Sequence, residues 1–289
     1  MHIVNHRQFG EIEAYEFGYG PVGRPLMSVY VYVLDGVIID TGQSNMRKYV
    51  IEQLRDTRPR VILLTHHHED HSGNAFALGD CHRVYVLGPP LTAQKMAAKR
   101  KIRPYQRYIW GKSKDVKVKP FGALIESANF TLQPIHTPGH SQDHTVFLEQ
   151  KNGWLFSGDL YLGERIKYFR SDEKIYHQID SLKKMGEYDF DTLCCAHNPC
   201  LKNGKSRLAQ KLQYLEDIVG QVQLLQKQGL SVDAIIKLMD ANKDRWVKWM
   251  TMGDVSFANM LKSAIRGSHC RYEKGATQKR PIGRERMNP

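Results

Sequence analysis

The chain has 289 residues, of which 41% are hydrophobic and 25% are charged, and its net charge is +12. This composition is typical of a soluble globular protein that forms one large domain or a domain with an appendage. The sequence has neither an apolar run near the ~18 residues of a membrane span nor the charged and then apolar start of a secretory signal, so we expect no membrane partner. Five cysteines without a regular disulfide spacing favour a reduced, cytoplasmic compartment.

Strands dominate the first two-thirds of the chain. Residues 27–42 predict a β-hairpin that turns at Asp35 and Gly36, because apolar and aromatic residues alternate on both sides of a favourable two-residue turn. The remaining elements of this part are predicted strands at 60–65, 82–88, 130–141 and 191–199, a second hairpin at 144–159, and helices at 45–57 and 173–185.

From about residue 205 onward the sequence predicts helices only. Leucine and valine recur at three- and four-residue steps over 206–229, and Gly229 is a suitable helix end. Two further helices are predicted at 231–242 and 253–267. We therefore expect a first domain, a helical domain and a basic, disordered tail rich in Gly and Pro, with the bounds 1–205, 206–270 and 271–289.

Residues that can bind a metal follow the carboxyl ends of the apolar strands. The strand at 60–65 leads directly into four histidines and two acids, a cluster that is costly to bury unless something binds it. Loops at strand ends can converge on one point, so we expect a single site. Its candidate members are Asp40, His66, His68, Asp70, His71, His140, Asp159 and His197.

The spacing of these residues suits two cations. His66 and His68 point the same way in an extended loop because side chains alternate with period two. The adjacent Asp70 and His71 face a second centre within a turn, and one Asp from elsewhere can bridge the two ions. Neutral imidazole and carboxylate favour Zn²⁺, with Mn²⁺ or Fe as competitors, so the expected cofactor is a pair of divalent metal ions.

The motif H-x-H-x-D-H, followed by TPGHS, SGD and a late AH, resembles the metallo-β-lactamase superfamily, in particular its glyoxalase-II-like, lactamase-β-like hydrolase branch. The resemblance covers residues 25 to 200 in the right order. It implies an α/β (α+β) fold, a four-layer αββα sandwich, here with a C-terminal all-helical appendage. The segment 1–205 would then be the catalytic domain.

The resemblance also implies a ligand assignment. His66, His68 and His140 would bind one metal, while Asp70, His71 and His197 would bind the other, with Asp159 bridging the two. Asp40 would order the histidine-rich loop by hydrogen bonds. His67 and Glu69 occupy the variable positions of the motif and are expected to point away. The pair Cys194-Cys195 is expected to be a buried part of a strand, since both ligand sets are complete without a thiolate.

The chemistry expected of such a site is hydrolysis. Two cations ~3.5–4 Å apart generate a bridging hydroxide that attacks a carbonyl or phosphoryl centre. Asp70 would accept the proton. His144 and Tyr161 are further catalytic candidates, His144 by contacting substrate and Tyr161 by donating a hydrogen bond to an oxyanion. Either could instead be structural, His144 as a histidine that opens a strand and Tyr161 as a packed loop aromatic.

Three functions remain open from the sequence. An esterase or thioesterase acting on an anionic small molecule is favoured by the ligand set and by the basic stretch 94–120, which could cover the site or be solvated surface. The helical tail is similar to thioesterases of the quinolone-response type. A small endoribonuclease or phosphodiesterase of the lactamase-β-like type is the alternative, with Tyr105, Tyr108 and Trp110 stacking on RNA. A metal-binding regulator that acts through its helical domain, forming a homodimer through those helices, is the third.

Overall fold

Two β-sheets form the centre of the protein. The computed structural model describes residues 1–98, 102–240 and 245–276. The first sheet has seven strands in the order of the sequence and the second has five, in the order β12-β11-β10-β9-β8. The strands are β1 (Ile3–Phe9), β2 (Ile12–Gly18), β3 (Ser28–Leu34), β4 (Val37–Ile39), β5 (Val61–Leu63), β6 (Tyr85–Gly88), β7 (Val118–Pro120), β8 (Ile125–Glu126), β9 (Thr131–His136), β10 (Thr145–Glu149), β11 (Trp154–Gly158) and β12 (Thr192–Cys195).

Helices cover the outer face of each sheet. A short 3₁₀ turn at Ser44–Met46 precedes the first of them. The helices are α1 (Arg47–Leu54), α2 (Glu69–Ser72), α3 (Ala75–His82), α4 (Pro90–Ala97), α5 (Pro104–Ile109), α6 (Ile175–Gly186), α7 (Gly204–Lys227), α8 (Val232–Asp240), α9 (Arg245–Met250) and α10 (Phe257–Ala276). Within the described residues, no helix combines the length and the apolar character that crossing a bilayer requires.

The alternation of side chains on the strands produces three apolar layers. On β3, Val31 and Val33 face the core shared with α1, α3 and α4, whereas Tyr30 and Tyr32 face the core between the two sheets. On β10, Phe147 joins the same inter-sheet core. The opposite face of the second sheet packs on α6, α7, α8 and α10 in a third core. The result is the expected four-layer αββα sandwich with C-terminal helices.

Several predicted elements are confirmed. The first hairpin turns at Asp35 and Gly36, both of which have positive φ angles, as a turn that matches the twist of the strands requires. The predicted helices over 45–57, 173–185, 206–229, 231–242 and 253–267 correspond to α1, α6, α7, α8 and α10.

Other elements differ from the prediction. The strand predicted at 82–88 begins only at Tyr85, because α3 continues to His82 and ends on Arg83 in the left-handed conformation. The hairpin of β1 and β2 was not assigned from the sequence. Helix α10 extends to Ala276, into the predicted tail 271–289, whose remainder lies outside the described residues. The domain boundary at residue 205 stays a prediction, although α7 begins next to it, at Gly204.

Candidate metal centre

The sheet topology explains why the candidate ligands meet. Strands β4 and β5 are parallel neighbours, so Asp40 and the loop with His66 leave the same edge of the first sheet. Strands β11 and β12 are also parallel neighbours, which places Asp159 next to His197 at the edge of the second sheet. The Thr145 N–H donates to the Thr65 carbonyl at 3.0 Å and thereby joins the two edges.

The first group of ligand atoms consists of three histidines and one carboxylate. His66 Nε2 lies 2.9 Å from His68 Nδ1, and His140 Nε2 lies 3.0 Å from the same atom. Asp159 Oδ2 is 3.1 Å from His140 Nε2. All four side chains are buried, and one atom from each lies within 4.8 Å of the others.

The second group shares Asp159. Its Oδ1 lies 3.3 Å from His71 Nε2 and 3.4 Å from His197 Nε2. Asp70 Oδ2 completes the group at 3.1 Å from His197 Nε2 and 3.7 Å from His71 Nε2. Each oxygen of Asp159 therefore faces a different group, as a bridging ligand must.

Asp40 holds the histidine-rich loop in place. Its carboxylate accepts hydrogen bonds from the Thr65 N–H at 2.8 Å and from the Thr65 hydroxyl at 2.9 Å, and it lies 2.7 Å from His71 Nδ1. The Asp40 backbone has a φ of 60°, which is uncommon for a residue with a side chain. A backbone in this region persists only where surrounding contacts fix it, and such residues cluster at functional sites.

Hydrogen bonds on the far side of each imidazole set which nitrogen faces the centre. His197 Nδ1–H donates to the Ser28 carbonyl at 2.6 Å, and His71 Nδ1–H donates to Asp40. Since the Thr65 hydroxyl donates to Asp40, His66 Nδ1–H donates to the Thr65 oxygen at 3.0 Å. The Nε2 lone pairs of these three rings are therefore directed at the site.

Burial and nearby carboxylates have opposite effects on the pKa values of the histidine ligands. Burial lowers the pKa of His66 and of His68 well below its usual range, which keeps both imidazoles neutral. Burial also opposes the charge of His140, but Glu173 and Asp159 outweigh it and raise the pKa of His140 to about 10. Asp159 and Asp40 likewise raise the pKa of His71 despite its burial. Protons and cations compete for the same nitrogen atoms at such a site.

The residues present fit divalent cations. Among the described residues, His71 Nε2 and Asp159 Oδ1 have no hydrogen-bond partner although both atoms are buried. Buried polar atoms are normally satisfied, so unpaired ones that converge indicate an ion. Tetrahedral Zn²⁺ with bonds of about 2.0–2.1 Å separates its ligand atoms by about 3.3 Å. The separations between neighbouring ligand atoms given above range from 2.9 to 3.7 Å.

His144 lies beside the ligands and positions one of them. Its Nε2 accepts a hydrogen bond from the Asp159 N–H at 3.0 Å, and its Nδ1–H donates to the Thr137 hydroxyl at 2.9 Å. Burial, together with the positive field of His140, lowers the pKa of His144 to about 3, so the ring is neutral. Gly158 makes this arrangement possible, because a Cβ there would lie 2.8 Å from His144 Nε2.

Tyr161 lies away from the cavity. Its side chain is fully buried in the core formed by the second sheet and the C-terminal helices, and it is not among the residues that line the cavity at the ligands. Burial raises the pKa of Tyr161 far above its ordinary value. The packing role weighed in the sequence analysis matches this position, while a catalytic role stays an untested prediction.

The variable positions of the motif take no part in the ligand groups. His67 lies with its Nδ1 2.9 Å from Asp143, a fully buried carboxylate that also accepts from Thr92 at 2.6 Å and from Lys95 at 3.0 Å. Glu69 is buried and accepts from Gln106 at 3.3 Å. Asp143 was missed in the sequence, where only its place next to His144 could have drawn attention to it.

The adjacent cysteines are structural. Cys194 packs in the core between the sheets, and Cys195 packs in the core beneath the C-terminal helices. Neither belongs to a ligand group. Burial raises the pKa of both thiols, which keeps them protonated.

A cavity of about 330 Å³ opens beside the ligands. The basic stretch 94–120 contributes to it, but through apolar and aromatic side chains: Tyr105, Ile109 and Trp110 line the cavity. Among the described residues that line the cavity, Arg170 is the only lysine or arginine. Glu173 also lines the cavity, and its Oε1 lies 3.5 Å from His140 Nδ1. Neither Arg170 nor Glu173 carries a motif that would identify it in the sequence.

Comparison with known proteins agrees with this architecture. A family model described as the metallo-beta-lactamase superfamily matches residues 24–197. The match covers more than half of the chain, so the protein belongs to the metallo-beta-lactamase superfamily.

The chain is also similar to individual members. It is 29% identical to the Beta-lactamase-like protein 2 homolog of Drosophila melanogaster over 58% of this chain and 58% of that protein. It is 31% identical to the hydroxyacylglutathione hydrolase of Halorhodospira halophila over 55% of this chain and 59% of that enzyme. The matches thus span less than two-thirds of these relatives. A beta-lactamase domain protein from Burkholderia ambifaria shares the fold, with a TM-score of 0.68, 16% identity, and coverage of 91% of this chain and 89% of that chain.

Proposed function

We propose that the protein is a two-metal hydrolase that cleaves an ester or thioester of an anionic small molecule. The observation that carries the proposal is the pair of buried ligand groups that share Asp159. Similarity to proteins named hydroxyacylglutathione hydrolase supports a thioester substrate. We further propose zinc as the metal, with iron or manganese as the alternatives.

Each group of this site has a task that follows from its position. Divalent ions held by the two ligand groups would supply Lewis acidity and a nucleophile at neutral pH. Asp70 is buried, but His71 and His197 outweigh burial and lower its pKa, so the carboxylate is ionised. Its Oδ2 faces His197, and we assign Oδ1 as the atom that takes up the proton released during the reaction. Asp40 and His144 keep His71 and Asp159 in place.

Arg170 supports an anionic substrate. Arg170 lines the cavity, and its guanidinium Nε donates to the exposed Asp172 at 3.3 Å. The planar guanidinium suits a carboxylate or phosphate of the substrate. The net charge of +12 would also favour the approach of an anion.

The experiment is a substrate panel with metal analysis. Protein loaded with zinc, manganese or iron is assayed on thioesters, lactones, carboxyl esters and phosphodiesters, with the Asp70→Asn variant as the control for contaminating activity. We expect turnover of a thioester or carboxyl ester that disappears in Asp70→Asn. Turnover confined to phosphodiesters or RNA would support the nuclease instead, and metal binding without any turnover would support a regulator.

One observation weakens the nuclease alternative. Of the three aromatic residues interleaved with lysine and arginine, Tyr105 and Trp110 are buried in the cavity wall, and only Tyr108 is exposed. A surface that stacks successive bases needs several exposed rings. A homodimer through the C-terminal helices stays a prediction that the oligomeric state in solution would test.

A further inference from the structure

The cavity beside the metal ligands has a chemically divided lining. Part of the lining consists of ligand residues, including His68, Asp70 and His197. Many of the other lining residues are apolar, and we call this group the apolar wall; it comes mainly from two short helices, with Ile109 and Trp110 from the region of α5 and with Trp246, Val247 and Met250 from α9. A hydrolase that needed only a small polar substrate would not require such a wall.

The apolar wall is held in a fixed place by a buried carboxylate. Asp254 follows α9 and accepts hydrogen bonds from the Tyr105 hydroxyl of α5 at 2.5 Å and from the Ser171 hydroxyl at 2.6 Å. Arg103, just before α5, approaches the same carboxylate at 3.3 Å. Although burial opposes it, these donors and the nearby Arg170 lower the pKa of Asp254, so the carboxylate is ionised. Asp254 thus joins α5 to the segment that follows α9, across 149 positions of the chain.

The mouth of the cavity is apolar as well. Trp246 lines the cavity and is nevertheless 59% exposed, and the lining residues Leu26 and Met27 are 55% and 44% exposed. Large apolar side chains that are exposed together around a concavity mark a binding site for an apolar ligand. Folding does not account for their position, because none of the three belongs to a buried core cluster.

We propose that this wall binds the apolar acyl portion of the substrate and thereby selects esters or thioesters of apolar acyl groups over those of short polar acids. At about 30 Å³ for each water-sized group, the cavity has room for about ten such groups, which corresponds to a medium-length chain or a substituted ring. That the bound molecule is a substrate with a cleavable ester or thioester bond rests on the proposed function. That the wall binds an apolar group does not.

The test measures binding without turnover. A series of unbranched alkanoates of increasing length, from acetate to dodecanoate, is titrated into the zinc-loaded full chain by isothermal calorimetry, below the concentrations at which the longer members form micelles. We expect the dissociation constant to fall by about fourfold for each added methylene until the cavity is full, and then to level off. Because no bond is cleaved, a failure of the hydrolase proposal leaves this result unchanged.

Matched variants assign the effect to the wall. Trp246→Ala removes an exposed lining residue, and Trp249→Ala removes a tryptophan on the same helix that is 78% exposed and does not line the cavity. We expect Trp246→Ala to weaken binding of octanoate at least tenfold and binding of acetate less than twofold, with Trp249→Ala unchanged. Affinity independent of chain length would overturn the proposal. The proposal would also be overturned if Trp246→Ala and Trp249→Ala lost octanoate affinity equally and the wild type bound phosphatidylglycerol vesicles. That pattern indicates that the exposed tryptophans dock on a lipid surface.

Discussion

Lys211 provides a quantitative test of how the helical appendage packs. This lysine of α7 is 1% exposed, and its Nζ donates to the Leu160 carbonyl at 2.7 Å, directly after Asp159 in the chain. Burial lowers the pKa of Lys211 from its ordinary value of 10.5 to about 8, although Glu173 and Asp159 favour its charge. Replacing Lys211 by Met removes the titrating group and shortens the side chain by only one heavy atom.

The sign of the effect follows from proton binding. Between pH 8 and 10.5 the unfolded chain holds a proton on Lys211 and the folded protein does not, so the free energy of unfolding rises with pH in this window. Each pH unit is worth about 1.4 kcal/mol, and the whole window therefore amounts to roughly 3 kcal/mol. Below pH 8 and above pH 10.5 this contribution is constant.

Urea unfolding of the wild type and Lys211→Met at pH 7.5, 9 and 10.5 measures the effect. The stability of the wild type relative to the variant should increase by roughly 3 kcal/mol from the lowest to the highest pH. EDTA is present throughout because metal binding depends on pH as well. Lys183→Met, which breaks a surface ion pair with Glu216, is the control and should show no such trend. A difference that stays constant within about 0.5 kcal/mol would refute the burial of a neutral lysine.

Three further predictions concern the site and its wall. Asp40→Asn should weaken zinc binding by about 10- to 100-fold in competition with a chromophoric chelator, while the exposed Asp56→Asn should not, and equal affinities would contradict the role of Asp40. Asp254→Asn should lower the free energy of unfolding by about 1–3 kcal/mol in urea, because a buried acceptor of two hydrogen bonds and an ion pair loses its charge. Zinc at 100 times its dissociation constant should raise Tm by about 5–10 °C, reversibly with EDTA, and His68→Ala, which leaves the second ligand group complete, should reduce the rise without abolishing it.

The inner part of the fold was predictable because its pattern is local. On β3, the alternation of valine with tyrosine and leucine predicted one strand of a hairpin, and the two faces of this strand belong to different cores. The grouping of the ligand residues was predictable for a related reason: each follows a strand, and neighbouring parallel strands deliver their carboxyl ends to one edge. The structure brings together the seven residues that the resemblance implied, in the same two groups.

The cavity wall was not predictable because it depends on contacts between distant segments. The tyrosines and tryptophan of the basic stretch supported the nuclease alternative, yet Tyr105 and Trp110 are buried, and the Tyr105 hydroxyl donates to Asp254. Nothing near Asp254 in the sequence shows that it accepts a hydrogen bond from Tyr105, 149 positions away. The charge of a segment can be read from its own residues. Which distant segment buries its aromatic side chains depends on the tertiary structure.

These contacts make the C-terminal helices part of the site. Lys211 of α7 supports the loop after Asp159, and Asp254 joins α5 to the segment that follows α9. The ligands come from the ends of rigid strands, so the chemistry can stay constant while the short helices above it change. Helix α9 has no buried residue, and the residues of the apolar wall belong to neither ligand group. Substitutions there should therefore alter which acyl group is accepted before they alter metal binding.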